Sequence, residues 1–337
     1  MRSRIEDVAA AAGVSMKTVS RVLNHEPNVR EETRQRVMQA VEALQYRPNL
    51  SARSLAGQRS YTVALVYNNP SRNYLMEVQG GMLEACRAGH YNLVLAPVGA
   101  PRQRKAADLE AVFEHFAPDG VVLIPPLTDD ATVLAYLEAH EVPFACIAPR
   151  QTPARIGVMM DETAAVIELI NGLISLGHRR IGHIKGPPAH GACLWRYSGY
   201  RQALEAAGIE EEPGLVVQGK FSFESGIEAA QRLLEMAHPP TAIFAANDDM
   251  AAGCIRVACL RGLRVPADLS ICGFDDTPIA RHIHPALTTV RQPTSEMGRL
   301  ATMELLARIR SPDAGRMVHV EHEVLFREST GRPPRAR

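Results

Sequence analysis

The sequence predicts two kinds of structure in series: a small all-α head over the first 60 residues, then a larger α/β region built on parallel sheets. Three observations predict it. Apolar residues in the first segment recur at three- and four-residue spacing, the period of a helix. From residue 61 onward, short apolar runs alternate with amphipathic stretches, the pattern of strands covered by helices. The 337 residues exceed what one ordinary core holds, so the α/β region is expected to form two units.

Composition narrows the function classes. Hydrophobic residues make up 46% and charged residues 22%, as in a globular protein and not a disordered or fibrous one. No apolar run reaches the roughly 18–20 residues of a spanning helix, so no membrane partner is expected. The start, Met1-Arg2-Ser3-Arg4-Ile5-Glu6-Asp7, is charged and lacks the apolar stretch of a secretory signal, which makes the cytoplasm the expected location. The six cysteines form no Cys-x-x-Cys pair, so they read as reduced, mostly buried small side chains, with neither a disulfide framework nor a metal site. Net charge is zero overall, but residues 1–60 hold ten Lys/Arg against six Asp/Glu, an excess of four, and the remainder carries the opposite four. A basic head of this kind suits an anionic partner.

The head elements follow in order. Ser3-x-x-Glu6 reads as a capping box before Ile5, Val8 and Ala12, giving a helix over 4–12 that Gly13 interrupts. Ser15 caps the next helix, 16–23, with Val19, Val22 and Leu23 on its inner face. Residues 24–28 form a loop, and a third helix over 30–44 buries Val37, Val41 and Leu44. Two short helices joined by a three- or four-residue turn containing Gly make a helix-turn-helix, whose second helix enters the DNA major groove. Lys17 and Arg21 supply donors for guanine or phosphate, Met16 an apolar contact to a thymine methyl, and Ser15, Thr18 and Ser20 phosphate contacts.

The string from Ile5 to Asn24 contains Asp7-Val8-Ala9, Ala12-Gly13-Val14-Ser15 and Thr18-Val19-Ser20-Arg21-Val22-Leu23-Asn24. In order and spacing it closely resembles the head of the lactose-repressor (LacI-type) family of bacterial transcription regulators. The resemblance implies DNA contacts from Ser15, Met16, Lys17, Thr18, Ser20, Arg21 and Asn24, and a head spanning 1–48. Residues 50–57, Leu-Ser-Ala-Arg-Ser-Leu-Ala-Gly after the cap Asn49, resemble the family's hinge helix within a 49–60 linker. There the family packs two hinge helices in the minor groove, with Leu55 as the wedge, Ala52 allowing close approach and Asn49 beside them. Eight residues are too few to hold a helix unaided, so folding on the operator is part of binding.

Strands are predicted at 61–66, 92–97, 120–124, 144–147, 157–160, 180–184, 215–218, 242–245, 269–273, 288–290 and 318–326. Helices are predicted at 74–88, 163–176, 195–207, 223–236, 250–261 and 295–309. The resemblance implies a two-lobed α/β regulatory domain like the periplasmic binding proteins, over 61–328. Lobe one is 61–160 plus 293–328, lobe two is 161–292, and the 329–337 tail is disordered. Three crossings let the lobes close on a ligand.

Several residues read as ligand-binding. His190 lies in a Gly-Pro-Pro loop at a sheet's carboxyl edge, where α/β proteins bind ligands. Arg196 matches the arginine that the family aims at ligand hydroxyls or carboxylates. Asn247 both donates and accepts, as sugar hydroxyls require, while Asp248 is expected to cap the following helix. Asp275 matches the family's ligand-binding aspartate, and Asp276 reads as a structural loop carboxylate. Phe221 matches an aromatic that stacks on flat ligands. Gln292 lies at a crossing, Tyr74 and Leu75 line lobe one, and Asp161 follows a strand. One departure stands out: Ala148 occupies the position where many sugar-responsive relatives carry an aspartate, so either Arg150 takes over or the ligand lacks a hydroxyl there.

Walker, Gly-x-Ser-x-Gly and His-Glu-x-x-His motifs are absent, so the protein is not expected to be an enzyme, nor to hold a cofactor or metal. The resemblance implies a homodimeric repressor that binds a near-palindromic double-stranded operator on the nucleoid. A small-molecule effector, a sugar or glycoside, would tune its affinity, with a purine-like corepressor as the alternative. A solute-binding protein remains a remote alternative, but it would have no use for the head.

Overall fold

The computed structural model describes residues 4–23, 29–46, 59–99, 102–150 and 155–334. The chain divides into two compact units, Met1–Tyr61 and Thr62–Arg337.

The first unit packs α1 (Ile5–Ala12), α2 (Met16–Leu23) and α3 (Glu31–Ala43) around Val8, Val19, Val22 and Val37, all with no exposed surface. Arg4, not Ser3, is the N-cap of α1, and Asp7 rather than Glu6 reaches back to accept from its backbone N–H (2.7 Å). Gly13 ends α1 at φ 64°, a left-handed conformation that glycine adopts without strain. Ser15 Oγ then accepts from Thr18 N (3.2 Å), the expected cap of α2. The anticipated hinge helix at 50–56 lies outside the described residues.

In the second unit, strands β1 (Thr62–Tyr67), β2 (Asn92–Pro97), β3 (Gly120–Leu123), β4 (Phe144–Ile147) and β5 (Gly157–Met160) alternate with α4 (Arg72–Gly89), α5 (Arg102–Phe116) and α6 (Ala131–Ala139). After α7 (Glu162–Ser175) come β6 (Ile181–Lys185), α8 (Gly191–Ala206), β7 (Val216–Gln218), α9 (Phe223–Leu234), β8 (Ala242–Ala245), α10 (Asp248–Leu260), β9 (Ser270–Cys272) and α11 (Pro278–His282). The chain closes with β10 (Thr289–Arg291), α12 (Thr294–Arg310), β11 (Met317–Val320) and β12 (Glu323–Leu325).

Two parallel sheets result, in the orders β11-β5-β4-β3-β1-β2 and β7-β6-β8-β9, with β10 and β12 forming a separate antiparallel ribbon. Because β11 returns to the first sheet, the chain passes between the lobes three times: after β5, after β10 and after β11. The inner strands are buried on both faces, hence runs such as Val63-Ala64-Leu65-Val66 with no exposed surface, while the edge strands β2, β7 and β11 are partly exposed. Helix α12 rejoins lobe one by packing on α4 at glycines. A Cβ on Gly81 would lie 1.7 Å from the Ser295 carbonyl oxygen, and one on Gly298 would lie 2.4 Å from that of Val78.

Two boundaries differ from expectation. The 318–326 stretch is not one strand; it breaks between β11 and β12, which belong to different sheets. The tail is ordered through residue 334. Ser329 has no exposed surface, its Oγ donates to Ile271 O (2.6 Å), and its carbonyl accepts from Ile271 N (2.9 Å). Gly331 O faces His178 Nε2 (2.9 Å). Residues 323–331 thus belong to lobe two, because backbone beside β9 needs partners that only this segment supplies. Among the described residues no helix is long and apolar enough to cross a membrane.

Candidate DNA-reading helix and interlobe cleft

Helix α2 buries Val19 and Val22 and leaves Met16, Lys17 and Arg21 exposed. Met16 is 50% exposed. Thr18 and Ser20 are half-buried, and the Ser15 and Thr18 hydroxyls pair at 3.0 Å. Asn24, Asn49, Ala52 and Leu55 lie outside the described residues.

The cleft forms where the strands of both lobes end. Lobe one contributes Asn69, Ser71 and Tyr74 after β1, Pro125 after β3 and Ala148 after β4. Opposite them stand Glu162 at the start of α7, His190 and Arg196 after β6, Phe221 after β7, Asn247 after β8 and Asp275 after β9, with Gln292 at a crossing. Strand carboxyl ends are where α/β sheets present ligands. Ala148 (φ 50°), Phe221 (φ 59°) and Asp275 (φ 111°) all hold left-handed backbone at this wall, strain that functional sites often carry.

A buried ionic network organises lobe two. Arg196 Nε donates to Glu162 Oε2 (2.6 Å), one Nη donates to the Ala246 carbonyl, and the other stands 3.4 Å from Asp275 Oδ1. The guanidinium lies 3.7 Å from the Phe274 ring centroid. Gln292 Nε2 donates to Asp275 Oδ1 (2.6 Å). Burial raises the Asp275 carboxyl to about 7, although Arg196 and Gln292 pull it down. Burial, helped by Arg196, lowers His190 to about 4, so its imidazole is neutral near pH 7. Burial also raises the Tyr74 phenol, as do the Glu162 and Asp275 charges.

The structure redistributes two expected roles. Asp161 is exposed and caps α7, accepting from Ala164 N (2.9 Å); the next residue, Glu162, is the one that faces the cleft. The signal was present in the Asp-Glu pair before an apolar helix: the first carboxylate satisfies an orphan N–H and the second starts the helix. Asn247, not Asp248, caps α10, accepting from Met250 N (3.0 Å) while donating to Phe221 O (3.1 Å). Asp248 is instead wholly buried and accepts from the Thr277 backbone and from the Thr277 and Thr289 hydroxyls. Burial holds its carboxyl well above the usual range. Leu75 is half-buried and outside the cleft lining, while Asn69, Ser71, Pro125 and Ala192 joined it unanticipated. Arg150 is not among the cleft-lining residues; a Cβ on Gly191 would meet its Cγ at 2.5 Å, which places its stem beside the start of α8. Asp276 accepts from Arg291 (2.9 Å) and Arg327 (2.6 Å), the structural role expected of it.

Across the cleft mouth, Asp249 accepts from Ser71 Oγ and Asn73 Nδ2 of lobe one, each at 3.1 Å.

The family model for bacterial regulatory proteins of the lacI family matches residues 4–49, and that for a periplasmic binding protein-like domain matches residues 170–330. Catabolite control protein A of Priestia megaterium is 34% identical over 98% of this chain and 100% of its own. A solved complex of the transcriptional regulator CelR with cellobiose is 34% identical, covering 97% of this chain and 100% of its own, at a TM-score of 0.74. The lac repressor dimer bound to operator and the anti-inducer ONPF is 26% identical, covering 98% of this chain and 100% of its own, at a TM-score of 0.80.

Proposed function

This chain belongs to the lacI family of bacterial regulatory proteins, and we propose that it is a dimeric, operator-binding repressor whose DNA affinity is set by a small hydroxylated ligand between the two lobes. The observation that carries this reading is the union, in one chain, of a helix-turn-helix with exposed Met16, Lys17 and Arg21 and a cleft ringed by polar side chains at strand carboxyl ends. Relatives named as repressors, one of them solved on its operator, and a transcriptional regulator solved with cellobiose support a regulator rather than an enzyme or an exported solute-binding protein.

Residues 1–48 read a half-site through Ser15, Met16, Lys17, Thr18, Ser20, Arg21 and Asn24. Residues 49–60 form the hinge, with Asn49, Ala52 and Leu55 at the minor groove. The remainder binds effector and pairs two chains, in the cytoplasm where the operator lies. Ligand binding favours one arrangement of the lobes, a coupling of typically 1–3 kcal/mol between the two sites. Arg196 and Asp275 hold the ligand end of lobe two, and Tyr74 meets it from lobe one. Phe221, a buried aromatic on the wall, favours a second reading in which a flat corepressor stacks there.

Gel-shift titration of a near-palindromic promoter fragment, with sugars, glycosides and purines in turn, tests both halves. Specific retention that one compound weakens or tightens is expected. Equal affinity for random duplex refutes the operator half, and indifference to every compound refutes the effector half. Lys17→Ala is expected to weaken binding and to lower the slope of log affinity against log salt by about 1 if Lys17 meets a phosphate.

A further inference from the structure

The charge arrangement in the cleft narrows the ligand further, taking as its premise the reading of that cleft as the effector site. We infer that the effector is a hydroxyl-rich molecule carrying a protonated amine, received by Glu162 and Asp275, and that Glu162 is the residue that selects it over anionic ligands.

The charges of the cleft do not cancel. Among the described residues Arg196 is the one cation lining the cleft, and it stands against two buried carboxyl groups, Glu162 and Asp275. Asp249, held at the mouth by Ser71 and Asn73, adds a further negative field at Asp275. Among the described residues lobe one contributes no charged side chain to the lining. With His190 neutral, the cleft holds excess negative charge whenever the Asp275 carboxyl, at about 7, is ionised, in a poorly solvated place. Such charge is costly unless paired, and the raised Asp275 carboxyl is the expected symptom.

The polar atoms of the cleft differ in what is left open. The Arg196 guanidinium donates to Glu162 and the Ala246 carbonyl, stands 3.4 Å from Asp275 and lies 3.7 Å from the Phe274 ring centroid. A carboxylate or phosphate approaching it would stand beside two buried carboxylates that already share its charge. Glu162 Oε1 and Asp275 Oδ2, by contrast, make no hydrogen bond among the described residues. The Tyr74 hydroxyl, on a side chain 7% exposed, is also without a partner there and stands close enough to both carboxylates to feel their charge. Open acceptors beside an aromatic wall suit a ligand that donates, and an ammonium donates three hydrogens and neutralises the excess. An organic cation fits better than a metal ion: no group of three His, Cys, Asp or Glu side chains among the described residues is placed to hold one.

Glu162 is the specific element. Glu162 and Asp275 share one guanidinium, and Glu162 is the one with no second side-chain donor among the described residues, since Asp275 also accepts from Gln292. Its position at the start of α7, with Asp161 already serving as the cap, leaves it no helix-capping role.

The test uses full-length protein and calorimetric or thermal-shift titration with matched sugars: glucose, glucosamine, N-acetylglucosamine and glucuronate, then the galactose and mannose series. In at least one series the amine is expected to bind at least about tenfold tighter (about 1.4 kcal/mol) than its neutral parent. The N-acetyl form, similar in frame but uncharged, should lose that advantage, and the uronate should give no shift. In Glu162→Gln the amine-to-parent ratio should fall below about threefold. Glu162→Asp, which keeps the charge, should preserve the preference if the Gln variant fails to fold. A uronate binding as tightly as the amine, no amine advantage in any series, or an undiminished ratio in Glu162→Gln overturns the proposal. Neutral sugars that bind best and shift operator affinity overturn this inference alone. If no compound of any charge binds, the inference falls, and if operator retention is also indifferent to every effector tried, the effector reading of the cleft falls with it.

Discussion

Replacing Arg196 with Ala tests the buried network most directly, because the expected loss has a size and a pH dependence. The guanidinium is 4% exposed and pairs Glu162 at 2.6 Å and Asp275 at 3.4 Å. Removing one partner of a buried ion pair leaves uncompensated charge and typically costs about 3–5 kcal/mol. For a domain of this size that corresponds to roughly 6–20 °C in Tm. The sign of the pH effect follows from Asp275. Its folded pKa, already about 7, lies above its unfolded value, so its neutral form favours the fold and stability is lost as pH rises toward 7. Without Arg196 that pKa rises further, so the variant keeps losing stability above pH 7 where wild type levels off. The added deficit between pH 7 and pH 8 is at most about 1 kcal/mol from Asp275 alone, because wild type itself still loses about 0.3 kcal/mol over that interval. Thermal denaturation followed by circular dichroism at pH 6, 7 and 8 measures it, with gel shifts checking that operator binding survives while the ligand response is lost. A deficit that is the same at all three pH values, or below about 1 kcal/mol, refutes the reasoning.

Other substitutions probe the scaffold. Gly81→Ala puts a methyl 1.7 Å from the Ser295 carbonyl oxygen, forcing α4 and α12 apart at a cost of about 1–3 kcal/mol in denaturant titration; an unchanged midpoint would show that the helices slide freely. His183, wholly buried with Nε2 unpartnered, is pushed down to about 3 by burial. Its folded pKa lies below the unfolded one, so stability is complete above about pH 6.5 and falls by about 2 kcal/mol by pH 5. His183→Phe should flatten that acid limb, and an unaltered limb would assign it to other groups. Ending the chain before Ser329 strands the Ile271 and Thr288 N–H groups, each worth about 1–3 kcal/mol when buried unsatisfied, and should lower Tm; wild-type Tm would show water takes over.

Much of the fold was legible because each lobe repeats a local rule. The runs around Val63–Val66 and Ala242–Ala245 are apolar throughout, which marks strands covered on both faces, and Gly13 and Ser15 punctuate the head as their chemistry requires. The cleft was legible where the chemistry of a residue type suffices to suggest its role, and Tyr74, His190, Arg196, Phe221, Asn247, Asp275 and Gln292 all line it. It failed where two adjacent polar residues compete for one role. Asp161 and Glu162 both carry carboxylates, and Asn247 and Asp248 both can cap, so only the direction of the helix axis decides which one points inward. Ser329 gave no signal either, because the backbone it completes lies about 40 to 60 residues away in sequence, at Thr288 and Ile271.

What the order of amino acids determined by itself is the family, the helix-turn-helix and the alternation that builds two sheets, since these rest on interactions within a few residues. What only the tertiary structure decided is the electrostatic character of the cleft. Arg196, Glu162 and Asp275 are separated by dozens of residues, and whether the arginine is free to bind an anion or is already consumed depends on which carboxylates the fold brings within about 3 Å of it. Coulomb energy and desolvation are set by distance through space and by burial, neither of which is a property of position along the chain.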